Sequence, residues 1–241
     1  MKNIVNKLNN LRFKNFFWIQ FAILELYFAF FCFAQEKSIE INKNYLISQT
    51  IKLGSNSLME AFFLADDQHA IALSDNHAIE VFRIQNGKKA RVISSKDQNA
   101  ISLLVHPGRR MAITGGEDET VRIWNTQQTT SKGILRGHLS PVTVLALDKG
   151  GEILASASTD GTVILWNLIE QELINSAKVF SNVSVRSLTF HPQEKIIVVG
   201  GEDGTLQFRN IPDLKLILSL PAHKKSITEL EFNNRGDIFV S

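Results

Sequence analysis

Gly115-Gly116-Glu117-Asp118-Glu119-Thr120-Val121-Arg122-Ile123-Trp124-Asn125 returns in altered form as Ser156-Ala157-Ser158-Thr159-Asp160-Gly161-Thr162-Val163-Ile164-Leu165-Trp166-Asn167. The two tryptophans are 42 residues apart, and the same step back from Trp124 reaches Phe82 in another strand-like run. A step of 43 forward from Trp166 reaches Arg209, inside Asp203-Gly204-Thr205-Leu206-Gln207-Phe208-Arg209-Asn210. Four copies therefore share one register. Eighteen residues before each marker sits a reversal: Leu64, His106-Pro107-Gly108, Asp148-Lys149-Gly150 and His191-Pro192. Proline and glycine there end one strand and turn the chain into the next.

Within the best copy, Val142–Leu147 is apolar at both strand parities, as for an inner strand covered on both faces. Ile153–Ala157 and Thr162–Asn167 read as second and third strands, and the mixed run Glu172–Lys178 as an outer strand near solvent. After residue 35 no run has helical periodicity. Short strands repeating at this period specify an all-β fold, a β-propeller of four-stranded antiparallel blades. The copies span about 50–91, 92–133, 134–175 and 176–218, with a partial fifth over 219–241.

These residues resemble the WD-repeat β-propeller family over about residues 45–241. Gly137-His138, a serine-rich second strand, Asp160 in a tight turn and Trp166-Asn167 carry the likeness. The resemblance implies a buried polar chain of His138, Ser156 or Ser158, Asp160 and Trp166, and parity does not choose between the serines. The other copies are degraded. The Trp124 copy keeps Asp118 but has Lys96-Asp97-Gln98 where Gly-His would fall. The Arg209 copy keeps Asp203 and lacks both histidine and tryptophan, and Ala222-His223 opens the fifth copy. In that copy 226–232 matches an inner strand and Asp237–Ser241 a second one. The propeller is thus incomplete at the C-terminus, and the chain reads as the front part of a longer protein, since a half-built blade leaves a bare strand edge. Residues 45–53 read as an extra outer strand before the first full copy.

Residues 1–34 read as a signal peptide or signal anchor, with 35–44 as linker. Lys2, Lys7, Arg12 and Lys14 precede the apolar run Phe16–Ala34, and Cys32-Phe33-Ala34 offers small residues at both cleavage-determining positions. Glu25 in mid-segment disfavours a permanent span, and Phe31 before Cys32 argues against a lipoprotein signal. The reading is export with cleavage after Ala34; if uncleaved, residues 16–34 make the membrane contact. Without residues 1–34 the chain holds 22 bases against 23 acids, so the overall +2 gives no footing for a nucleic-acid partner. Cys32 is the lone cysteine, so the remainder has no thiol for a disulfide.

His138, Ser158 and Asp160 include the residue types of a hydrolytic triad, but no nucleophile-elbow glycines surround either serine. The expectation is a structural role and no catalytic residues. Glu117-Asp118-Glu119 and Glu202-Asp203 lack the alternating ligand spacing of a calcium loop, and the six histidines show no zinc-like pair. Gly115-Gly116 and Gly200-Gly201 lack the lysine of a phosphate loop, so no cofactor is expected. The function expected is a non-catalytic scaffold for a protein or peptide partner. Its alternative is a sensing or substrate-presenting domain of a longer protein. In the family, recognition favours the rim carrying the tight turns, which here points to Lys96, Asp97, Glu119, Glu202, Lys224 and Lys225.

Overall fold

The computed structural model describes residues 57–94, 99–128 and 131–241. The readings for 1–34, 35–44 and 45–53, and the rim residues Lys96 and Asp97, lie outside the described residues. The described chain divides into two compact units, before and after the Arg136–Gly137 junction.

In the first unit, β1 (Leu58–Phe63), β2 (His69–Ser74), β3 (Ile79–Arg83) and β4 (Lys89–Ser94) form one sheet in that order. A second sheet follows from β5 (Ala100–Val105), β6 (Met111–Gly116), β7 (Thr120–Asn125) and β8 (Ser131–Arg136). In the second unit, β9 (Val142–Leu147), β10 (Ile153–Ser158), β11 (Thr162–Asn167) and β12 (Glu172–Lys178) make the third sheet. The fourth comprises β13 (Val185–Phe190), β14 (Ile196–Gly201), β15 (Thr205–Asn210) and β16 (Leu216–Pro221). All pairings are antiparallel between sequence neighbours, and the described residues contain no helix. The fold is all-β, built from blades.

Burial explains which strand does what. β6 and β14 are buried at every position, and β10 and β11 are nearly so. β12 is mostly exposed. β9 is only half-covered, not enclosed on both faces as its apolar sequence suggests. A first strand has a neighbour along one edge only, whereas the middle strands have strands on both edges. Small residues let adjacent sheets close: Ala155 and Ala157 meet Val185, Leu188, Ile197 and Val199 in one core. In the first unit Ile71, Leu73, Ile79 and Val81 pack with Ala100, Leu103 and Ala112. Each fully buried aliphatic side chain contributes about 1.5–3 kcal/mol, so these cores hold the blades even where polar features have drifted.

The reversals after the first strands close by one repeated bond. Leu64, His106, Asp148, His191 and Asn233 each donate their backbone N–H to a carbonyl five residues on, at 2.9–3.0 Å. Turns between second and third strands place His77, Glu119, Gly161 and Gly204 at one position, with φ of 64°, 67°, 83° and 83°.

The fifth copy departs from the expected strand over 226–232. Only β17 (Glu231–Phe232) and β18 (Phe239–Val240) pair, as Glu231↔Val240 and Phe232↔Phe239. In the fourth sheet Phe190 pairs with Ile197 and Ser187 with Gly200. Ile227, earlier in the 226–232 run, bonds the fourth sheet instead, its N–H donating to Gly201 O at 3.1 Å and its carbonyl accepting from Ser187 Oγ at 2.9 Å.

Candidate functional site

Each blade places its polar residues at two locations: inside, between the second and third strands, and outside, on the turn beyond them. In the third blade the interior set is complete. β10 and β11 pair with Leu154 opposite Trp166, which brings the indole over Ser156. Trp166 Nε1 donates to Ser156 Oγ at 2.8 Å, and Ser156 Oγ bonds His138 Nε2 at 2.7 Å. His138 Nδ1 lies 3.3 Å from Thr162 Oγ1, whose hydroxyl donates to Asp160 Oδ1 at 2.5 Å. One set of protons satisfies the whole chain: indole to serine, serine to Nε2, Nδ1–H to threonine, threonine to carboxylate. That direction requires a neutral imidazole. Burial pushes the His138 pKa down to about 4, outweighing the raising effect of Asp160.

Both serines are used, differently. Ser156 takes the indole and imidazole, and Ser158 donates to Asp160 Oδ1 at 2.9 Å. Burial pushes the Asp160 carboxyl up, but hydrogen bonds from Thr162 and Ser158 outweigh it and hold it below its usual range. Both hydroxyls are fully buried, so neither serine is presented to a substrate. The triad residue types form an internal scaffold.

Sequence reading missed Thr162 as the link to aspartate. The signal was present: Asp118-x-Thr120, Asp160-x-Thr162 and Asp203-x-Thr205 repeat the pair. Each threonine caps its aspartate with N–H and hydroxyl. It also missed Thr114, which accepts the Trp124 indole N–H at 2.8 Å. Asp118 further gains an ion pair with Arg122 at 3.0 Å.

Where tryptophan is replaced, its acceptor goes too. Phe82 is paired with Ala70 and next to Ala72, which holds the acceptor position of that copy. In the Arg209 copy the acceptor position is Val199. Arg209 instead donates to Gln207 Oε1 at 2.8 Å, Leu214 O at 2.7 Å and Val179 O at 3.2 Å. Burial lowers its pKa. The guanidinium is built into the blade. In the fifth copy His223 Nε2 meets Ser241 Oγ at 2.8 Å, the counterpart of His138 with Ser156.

On the outer turns, Glu119 is exposed in the first unit. In the second, exposed Glu202 accepts from Arg186 at 2.9 Å, a hydrogen bond that holds its carboxyl below the usual range. Lys224 and Lys225 are exposed, and their loop is fixed by His223 N–H to Gly204 O at 3.0 Å and Ile227 N–H to Gly201 O at 3.1 Å. Glu202 and the lysine pair thus flank one turn. Among the described residues no cluster of histidine, cysteine or carboxylate side chains could hold a metal. His191 caps its own turn, with Nδ1 accepting the N–H of Gln193 and Glu194, as His106 Nδ1 accepts that of Gly108.

Comparison with known proteins agrees with this architecture. The family described as WD domain, G-beta repeat matches residues 87–125 and 129–167. The anaphase-promoting complex subunit 4 WD40 domain family matches residues 151–235. The chain is 26% identical to the mouse (Mus musculus) cilia- and flagella-associated protein 52 over 183 residues, 74% of this chain and 29% of that protein. It is 24% identical to the mouse pre-mRNA-processing factor 19 over 203 residues, 81% of this chain and 40% of that protein. It therefore spans well under half the length of these curated relatives. Repeat spacing, blade pairing and family matches converge: this chain belongs to the WD-repeat β-propeller family.

Proposed function

We propose that the chain is a non-catalytic protein-interaction module whose partner, a protein or peptide, docks on the outer turns of the blades. The observation that carries this reading is a division of labour. His138 and Ser158 are buried and Asp160 half-buried, all three tied into the blade by Ser156 and Thr162 or by each other, while Glu202, Lys224 and Lys225 stand exposed beside a turn whose backbone is pinned. A rigid rim with exposed charged side chains suits recognition. The family resemblance also nominates Lys96, Asp97 and Glu119 as contact residues. Affinity capture from the native source with the wild-type chain and with Lys224→Glu/Lys225→Glu tests it. Loss of a captured protein in a folded variant is expected; an unchanged captured set counts against the rim.

We further propose that residues 1–34 direct export, with the rest released or tethered at the membrane. A second reading, a sensing or substrate-presenting domain of a longer protein, draws on the greater length of the relatives. A catalytic domain found in the same polypeptide would favour it.

A further inference from the structure

At the other end of the third and fourth blades, the turns after β9 and β13 border an open groove of about 540 Å³. Ile153, Phe190, Ile211 and Pro212 supply its apolar floor, and Lys149 and Lys195 stand on its two turns. Phe190 and Ile211 belong to the core between the two sheets, so the floor is the open end of a packed layer. It is held in shape by that core and by the closed turns on either side.

The charges of the groove are unevenly available. The Asp148 carboxylate accepts the N–H groups of Gly150, Glu152 and Ile153 at 2.8–3.2 Å and is turned into its own loop. Half-buried Glu194 also lines the groove; its backbone N–H bonds His191 Nδ1 at 2.8 Å, and the residue makes a further interaction. His191 directs Nε2 to Gly236 O at 3.1 Å, away from solvent. Lys149 and Lys195 are exposed and form no ion pair among the described residues. An apolar floor flanked by two unpaired cations complements a carboxylate-rich segment bearing a large apolar side chain.

We infer that this groove is a second docking site, taking an acidic peptide segment anchored by one aromatic or aliphatic side chain. It lies at the opposite strand ends from Glu202, Lys224 and Lys225, and it stands whether or not that rim binds anything. Electrostatics draws the segment in and sets its orientation, while the floor removes its apolar side chain from water.

The test uses the full chain and a fluorescein-labelled Asp-Asp-Phe-Leu-Asp-Asp peptide, read by fluorescence anisotropy. Saturable binding is expected, weakened about tenfold by Lys149→Glu/Lys195→Glu and unchanged by Lys224→Glu/Lys225→Glu. A peptide with Gly-Ser in place of Phe-Leu should lose most of that affinity. Both lysines are exposed, and an unaltered unfolding midpoint verifies that the double variant is folded. No saturable binding, equal binding of the Gly-Ser peptide, or insensitivity to the Lys149/Lys195 reversal would each overturn the proposal. Binding lost only in the Lys224/Lys225 variant would assign the peptide to the rim and overturn the groove.

Discussion

Trp166 with Ser156 and Trp124 with Thr114 are pairs, and Ala72 and Val199 replace the hydroxyl where Phe82 and Arg209 replace the indole. A buried N–H without an acceptor costs about 1–3 kcal/mol, whereas removing donor and acceptor together is nearly neutral. Ser156→Ala should therefore destabilise the second unit by about 1–3 kcal/mol, since it strips a partner from both Trp166 and His138. Adding Trp166→Phe should cost less than the sum of the single changes, because the indole N–H no longer needs an acceptor. Denaturant unfolding of the four proteins in the cycle checks this, and strict additivity would remove the hydrogen bond from the account. Two titrating groups pull in opposite directions. Half-buried Glu60 on β1 accepts the Leu103 N–H, and burial, outweighing that bond, pushes its carboxyl from 4.5 up to about 7. The folded state then binds more protons than the unfolded one between these values, so this contribution is full below about 4.5 and lost as pH rises through about 7. Glu60→Gln keeps an acceptor for Leu103 and cannot ionise. It should raise the unfolding midpoint of the first unit at pH 8 but not at pH 4, and an equal effect at both would refute the assignment. His138 works the other way: its contribution is full above about 6.5 and declines as pH falls toward about 4.

The elements were the most legible layer of the sequence, for a physical reason. A turn needs particular residues at fixed offsets, and a covered strand needs apolar ones, so both leave marks in composition. Polar networks leave weaker marks because several residue types can donate the same proton. Thr114 and Arg209 show this: each role was set by three-dimensional register rather than by residue type. The half-covered β9 shows the converse, an apolar strand whose burial is limited by its place at a sheet edge. Gly161 is where a turn demands one residue. Its φ is +83°, and a Cβ there would press into Phe180 O and lie 2.8 Å from Val183 O. Backbone atoms cannot yield as a side-chain tip can. Gly161→Ala should cost more than about 2 kcal/mol, combining the left-handed penalty with that clash. Gly150→Ala, in the same unit, meets first a side-chain atom, Asp148 Oδ2, at 3.1 Å and has no positive φ. It should cost markedly less. Thermal unfolding of the two variants compares them directly, and equal losses would show that the turn backbone adapts freely.

At the scale of the whole molecule, charge and cysteine content differ between residues 1–34 and the rest. Residues 1–34 carry four bases, one acid and the only cysteine, so the +2 of the complete sequence becomes −1 without them. A blade protein that is nearly neutral and thiol-free after this segment suits an exported product, which needs no reducing compartment to keep its fold. The apolar run Phe16–Ala34 has 19 residues, near bilayer-spanning length, but Glu25 in its middle would cost a permanent span about 2.5–3.5 kcal/mol. A transient passage to a signal peptidase avoids that standing cost. The native protein recovered outside the cytoplasm is therefore expected to begin at Gln35 by N-terminal sequencing. Ala34→Lys, which puts a long cation where the peptidase requires a small side chain, should leave the leader attached and the chain membrane-bound. A wild-type product that retains Met1 in the membrane fraction would instead make residues 16–34 an anchor. Cytoplasmic recovery with an intact leader would refute export altogether.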